Sequence, residues 1–503
     1  MKLDSQIYDI IVIGGGASGL AAAIESATCG ASVLVLEKGP TLGGTMAWAV
    51  GVYASSSTPH QKRADIEDSC EQHFADMDVV NRTDRPDNLD LRRLLVYGAP
   101  DTFHWLLGLG IRFIGPNLEP PQTQPRMHSV IPSAKAFLYY FERRCKKLGV
   151  SLSCSVEVVD LIVEGGRVRG VKAKNGKGET AEYHSRHGVI MASGDFAASR
   201  TMRSRFFGLS VVNAEAVYKL NTGDGQQIGE RYGARIVNGD YATFYIPRMR
   251  FVPPNCSSWV LRLPPWPIVS KGIQFGLKVL PQRLMRPFLL KFLTTVLGPE
   301  LGLFRAGAAL VNNAGDLIEV DITSPAHHLA LDPANKGYII FDQKIANIFE
   351  TPPNAISTAP GIAFAYLNDY RISRQDIYHE ANTLFELAGK IGIAPERLRN
   401  ALQSHNETTL YDRKLEQGPF YALGPVRGYI NVTEGGLAVS DDLRVLDGND
   451  EPIPGLFAAG GAGQGGVLLN GHGHHLTWAL VSGRKAAQTA LQQSRSFTRG
   501  ERQ

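Results

Sequence analysis

The chain has 503 residues, 44% hydrophobic and 20% charged, a soluble globular make-up with length for about three domain-sized units. Its 52 basic and 48 acidic residues leave a net charge of +4, which gives no ground for a nucleic-acid partner. Five cysteines (Cys29, Cys70, Cys145, Cys154, Cys256) lack C-x-x-C spacing, so a disulfide scaffold, a zinc ribbon and an attached haem are not expected.

The first residues, MKLDSQIYDI, carry Asp4 and Asp9 and no apolar signal-peptide core, and no long uncharged apolar run follows, so a cytoplasmic compartment is expected. Residues 8–13, Tyr-Asp-Ile-Ile-Val-Ile, read as a buried parallel strand. Gly14-Gly15-Gly16-Ala17-Ser18-Gly19 and a small-residue helix follow. Gly14 suits the tight turn, Gly16 the approach of a pyrophosphate, and Gly19 the close packing of helix on strand. The helix N-terminus offers unpaired N–H groups to phosphates. A second strand, Ser32–Leu36, ends in Glu37, a carboxylate placed to accept from ribose hydroxyls. Together these predict a dinucleotide site. Two further features favour FAD over NAD: the glycine loop Leu42–Ala47 just after the acid, and the glycine-rich run 455–466, which reads as a strand and turn feeding a helix over about 474–490.

These motifs, with Val189–Gly194, Thr222-Gly223-Asp224-Gly225, Gly418–Ala422, Glu434–Leu437 and Pro454–Gly460, resemble the fumarate reductase/succinate dehydrogenase flavoprotein superfamily. Within it the chain is most similar to the soluble branch containing 3-ketosteroid dehydrogenases. The resemblance implies an α/β fold, a Rossmann-like FAD-binding domain in two sequence parts with an inserted α+β cap. The parts expected are 1–240 and 420–503 for the FAD domain and 241–419 for the cap. The implied FAD contacts are Gly14, Gly16, Ala17, Ser18, Gly19, Glu37, Lys38, Gly43, Gly44, Thr45, Met46, Ala47, Val158, Ala192, Gly194, Gly223, Asp224, Gly460 and Leu476. Pro40-Thr41-Leu42 stands where some relatives attach flavin through a histidine, so the FAD is expected to be non-covalent. Asp195 departs from the glycine usual after Ser193-Gly194. A hairpin over Val156–Val163 and Arg167–Ala173 and cap helices over Ile377–Ile391 and Pro395–His405 complete the expected elements.

The resemblance breaks at the chemistry. Fumarate reductases carry an arginine ten residues after a V-N-x-x-G motif and another before the C-terminal helix. Here the first position, counted from Val311–Gly315, is Pro325, followed by Ala326, His327 and His328, and the second falls in Leu468–His475, which has no arginine. The tyrosine that ketosteroid dehydrogenases place there is also absent, though Gly473 is kept. The catalytic candidates are therefore argued locally: His472, Asn470 and the Gly473 N–H as donors to a substrate carbonyl, Tyr429 as a proton acceptor, His128 on a Pro-rich loop, and His327 beside the lost arginine. No metal is expected.

From Tyr241 to Pro299 there is no Asp or Glu, while Arg248, Arg250, Arg262, Lys271, Lys278, Arg283, Arg286 and Lys291 alternate with Trp259, Trp266, Phe275, Phe288 and Phe292. Such a stretch suits a surface lying on anionic lipid or a lip over an apolar substrate entrance, or else a cap-domain or dimer-interface helix pair whose basic residues face solvent. The expected activity is the introduction of a C=C bond α,β to the carbonyl of a small apolar cyclic or steroid-like ketone, with a separate electron acceptor. Enone or enoate reduction and a membrane-peripheral electron-transfer subunit are the alternatives.

Overall fold

The structure, a computed structural model, describes residues 6–500 except 82, 212, 242–247, 254–262, 280–289, 291–293, 295, 296 and 360–362. Trp259, Arg262, Arg283, Arg286, Phe288, Lys291 and Phe292 of the acid-free stretch lie outside the described residues.

β1 (Gln6–Ile13), β2 (Val33–Glu37), β3 (Ser151–Cys154) and β4 (Thr180–Met191) form a sheet with Pro452–Ala458 and Arg444–Leu446. The order is 444–446, 452–458, β4, β1, β2, β3, and all contacts but the first are parallel. Ile10–Ile13 and Val33–Leu36 are buried because helices pack on the sheet, while the hairpin that follows β3 packs against β2 and 452–458. One of these helices is α1 (Ala17–Thr28), whose Ala21-Ala22-Ala23 run lets it lie flat on the strands. The expected hairpin is present as Val156–Glu164 and Arg167–Asn175, turning at Gly165-Gly166 and joined to β4. A small sheet, with Met127–Ile131 between Val52–Ala54 and Arg112–Asn117, adjoins α2 (Cys70–Asn81) on the same domain.

A second core gathers Met249, Phe251 and residues from Leu303 to Val426 around a seven-stranded sheet. Its central strand, β5 (Phe420–Ile430), pairs with Gly337–Asp342, Arg248–Phe251 and Tyr378–Ala381. Residue 420, where the return to the first domain was placed, opens this strand. The helix expected over Ile377–Ile391 is instead a strand, Tyr378–Ala381, followed by a helix, Leu384–Ile391. Thr383 makes the difference: its hydroxyl accepts the Glu386 N–H and starts the helix there. The helix Pro395–Thr408 begins at its proline, as expected. α3 (Pro267–Val279) lies on the first domain. The last helix, α4 (His474–Gly500), runs ten residues past its expected end and packs across α1, with Arg484 bonded to Glu25 at 2.9 Å.

Candidate active site

The turn after β1 is built for an anion. Gly14 has φ +104°, and a Cβ there would stand 2.4 Å from Ala192 O. Gly19 passes so close to that turn that its Cβ would fall 1.9 Å from Gly14 O. Above Gly16 a Cβ would meet nothing within 4 Å, and no side chain caps the start of α1. The N–H groups of Ala17, Ser18 and Gly19 thus open onto free space at the positive end of a helix. Gly44 approaches the same rim, its Cβ position 3.3 Å from Gly16 Cα, and it opens the short helical turn Gly44–Trp48 containing Thr45, Met46 and Ala47.

Glu37 is buried at the end of β2, where Oε2 accepts from Gly15 N–H at 2.7 Å and Oε1 from Gly39 N–H at 2.7 Å. Each oxygen keeps a second lone pair for a ribose hydroxyl. Lys38 pairs with Asp224 at 2.5 Å, tying the β2 loop to the Gly223-Asp224 turn. Val158 sits at an irregularity in its hairpin register, the sort of place where a backbone edge is left for a ligand. Ala192 N–H bonds Ile13 O, Gly194 abuts Asn221, and Gly460 lies against Ser18; Leu476 is half-buried in the first turn of α4. Asp195 explains its own departure from glycine: its carboxylate accepts from Ala197 N–H and from Asn221 Nδ2, which in turn donates to Thr45 at 2.9 Å. Burial pushes the Asp195 carboxyl up to about 6.

The second half of the site surrounds the loop 470–473 that leads into α4. Thr477 fastens the helix start to the small sheet by accepting from Ala54 N–H and donating to Ala54 O, both at 3.0 Å. Glu119 receives the His472 backbone N–H at 2.9 Å and the His472 Nδ1–H. Burial alone would raise the Glu119 carboxyl, but its bonds to His472 hold it below the usual carboxylate range. Asn470 gives its amide N–H to Asn81 O at 2.8 Å and shares a bond with the Tyr241 hydroxyl at 3.1 Å. One turn further, His475 Nε2 donates to buried Glu434 at 2.9 Å, and Gln464 also donates to Glu434. Burial opposes charge on His475, but Glu434 and Asp195 outweigh it and raise its pKa.

Residues 9–255 and 306–473 match a family of FAD-binding domains. The chain belongs to that FAD-binding family. It is 25% identical over 96% of its length to NADH:fumarate oxidoreductase of Klebsiella pneumoniae and 26% identical over 97% to NADH:acrylate oxidoreductase of Vibrio harveyi. It spans about half the length of those two relatives, 48% and 51%. Vinyl phenol reductase of Lactiplantibacillus plantarum is 25% identical, with 97% of this chain and 98% of the relative covered. Among solved structures, an open flavocytochrome c3 fumarate reductase superposes with a TM-score of 0.72 at 19% identity, covering 97% of this chain and 78% of the other. A 3-ketosteroid Δ1-dehydrogenase from Sterolibacterium denitrificans gives 0.65 at 19%, covering 97% and 100%.

The cofactor of this family, FAD, fits the residues present. The open cradle over Gly16, the uncapped start of α1 and the free lone pairs of Glu37 would hold its pyrophosphate and adenosine ribose. Glu37→Gln puts an NH₂ where one amide N–H now donates; we expect FAD to bind about tenfold or more weakly, read by fluorescence titration of apoprotein.

The expected catalytic residues divide into two groups. Asn470, His472 and Gly473 share one loop, joined there by Glu119 and Tyr241, which the sequence analysis passed over. Tyr429 lies in β5 opposite Arg248, and the Arg248 guanidinium is in electrostatic reach of Glu119. His327 meets His328 edge to face at 5.7 Å on a helix of the cap. His128 is a correction. It is fully buried against Phe103, its Nδ1–H donates to Arg126 O at 2.8 Å and its Nε2 accepts from Thr58 at 2.9 Å, so the ring is a packing element.

Three histidines are buried in neutral form. Burial brings His128 down to about 3 and His474 to about 4, and takes His73, whose ring meets that of His474 at 3.0 Å, well below its ordinary value. A histidine with a depressed folded pKa stabilises the fold fully above about 6.5 and loses that contribution as pH falls toward the folded value, because the unfolded chain takes up the proton first. Asp195, raised, works the other way below about 6, whereas the window of His475, also raised, lies above about 6.5. His60, His327, His379 and His405 are lowered by burial as well, and among the described residues only the raised carboxyls Asp87 and Asp195 oppose the histidines there, so the urea midpoint is expected to drop between pH 7 and pH 5. A flat or rising midpoint would contradict the neutral assignment.

Proposed function

We propose that this FAD-dependent oxidoreductase acts on the C–C bond beside a carbonyl, desaturating a cyclic ketone at its α,β positions. The observation that carries the reading is the Glu119–His472 pair set beside neutral donors, Asn470, Tyr241 and the Gly473 N–H. When bound, FAD supplies the two-electron acceptor for the β-hydrogen. The protein manages the proton and the oxygen. His472 Nε2 takes the α-proton, and ionised Glu119, holding Nδ1–H, stabilises the positive charge the ring then bears. Tyr241, whose hydroxyl accepts from the Asn470 amide, donates to the carbonyl oxygen as charge builds there. An uncharged ketone suits the neutral donors of this loop.

Reduction of an enone or enoate is the second reading, favoured by the end-to-end likeness to vinyl phenol reductase. The likeness to 4-oxocyclohexanecarboxylate 2-dehydrogenase of Sinomonas cyclohexanicum, 24% identical with 98% and 94% covered, favours the first. An anaerobic spectrum separates them. Bleaching of the flavin by a cyclic ketone or 3-ketosteroid, with the enone recovered, supports desaturation. Reoxidation of dithionite-reduced protein by an enone or enoate, with no bleaching by any ketone, supports reduction.

A further inference from the structure

α3 is amphipathic the wrong way round for a helix on a protein surface. Ser270, 1% exposed, donates its hydroxyl to Ile131 O at 3.2 Å, and Gln274 donates its amide to Phe113 O at 3.1 Å, so polar side chains fasten its inner face. The apolar side chains point outward. Ile268, Phe275 and Val279 are 76%, 68% and 60% exposed, and with Lys271 they fall at positions i, i+3, i+7 and i+11, a single stripe. Trp266, 53% exposed, precedes the helix. Large exposed apolar stripes of this kind mark a surface that something else covers.

We propose that this face of α3 seats the protein on an anionic lipid surface. The charge of the segment selects the occupant. Residues 252–299, which surround α3, contain six lysines and arginines and no acid, which complements anionic headgroups. A second copy in a symmetric contact would set one acid-free basic segment against another, which repels. Aromatic and aliphatic side chains then enter the headgroup boundary while Lys271 stays at the phosphate level, the arrangement of an interfacial helix. Among the described residues no helix is long and apolar enough to cross a membrane, so the contact is peripheral.

The test uses the FAD-loaded full chain and sedimentation with vesicles of phosphatidylcholine alone or of equal parts phosphatidylcholine and phosphatidylglycerol. Pelleting with the anionic vesicles and release by salt are expected. Ile268→Asp/Phe275→Asp should partition at least about tenfold more weakly with its FAD content unchanged, and Lys271→Glu should partition more weakly too. Wild type that stays in the supernatant, or a double variant that pellets as well as wild type, overturns the proposal. So does a dimer in sedimentation velocity that Phe275→Asp dissociates, since the stripe would then cover a second copy. None of these readouts involves turnover, so the result stands apart from the substrate assignment.

Discussion

His472→Ala is expected to lower kcat by about 10²–10⁴-fold, the usual worth of a positioned acid–base group, while the protein retains its FAD. The ring is held at two points by one carboxylate, Nδ1 and the backbone N–H of the same residue both bonding to Glu119. In the proposed mechanism Nε2, the other ring nitrogen, is the one that works on substrate. Glu119→Gln keeps the shape and removes the charge, so kcat should fall by about tenfold or more with little change in FAD affinity. Rapid-scan reduction of the flavin by substrate separates the chemical step from product release. If His472→Ala reduces as fast as wild type, the proton is handled elsewhere and the proposed mechanism is wrong.

Arg126→Met carries the second large effect, on stability. Its guanidinium is fully buried, bonded to both oxygens of Asp68 at 2.8 and 2.6 Å and to Asp76 at 2.5 Å. Asp76 also accepts the backbone N–H and hydroxyl of Thr123, so the clasp fixes the loop that carries Gln122 and Glu119. Removing the cation leaves two carboxylates facing each other out of water, and a loss of about 3–5 kcal/mol is expected. Adding Asp68→Asn and Asp76→Asn should restore part of it, because the repulsion goes with the charges. Urea midpoints measure both. A single variant within about 1 kcal/mol of wild type would mean water already reaches the clasp.

The nucleotide half of the site was legible in the sequence because it is local. Strand, glycine turn, helix, strand and Glu37 follow one another within 32 residues of Gln6, and each has a steric or electrostatic signature. The catalytic half was legible only in part. His472 and Asn470 stood out as polar residues before a helix, but Glu119 is 353 positions away on a loop with no periodicity, and Tyr241 is 229 away from Asn470. Nothing in a loop's composition says what it will fold against. His128 misled for the complementary reason: a histidine beside prolines reads as exposed chemistry, whereas Phe103 and His60, both more than a dozen residues upstream, wall it in. The strand at Tyr378–Ala381 was missed because its apolar residues also fit a helical spacing, and only the unpaired edge of β5 decides between them.

The interleaving of the first sheet also sets an order of assembly. Residues 452–458 pair directly with β4, and α4 closes over α1, so the cradle for FAD is walled by both ends of the chain. Among the described residues, the second core, Met249 to Val426, takes no hydrophobic member from beyond residue 426. On a ribosome, that core can condense while the nucleotide half still lacks a strand and its covering helix. The cradle for FAD is complete only once residues 452–458 have joined β4 and α4 has closed over α1, which makes cofactor binding a late step of folding.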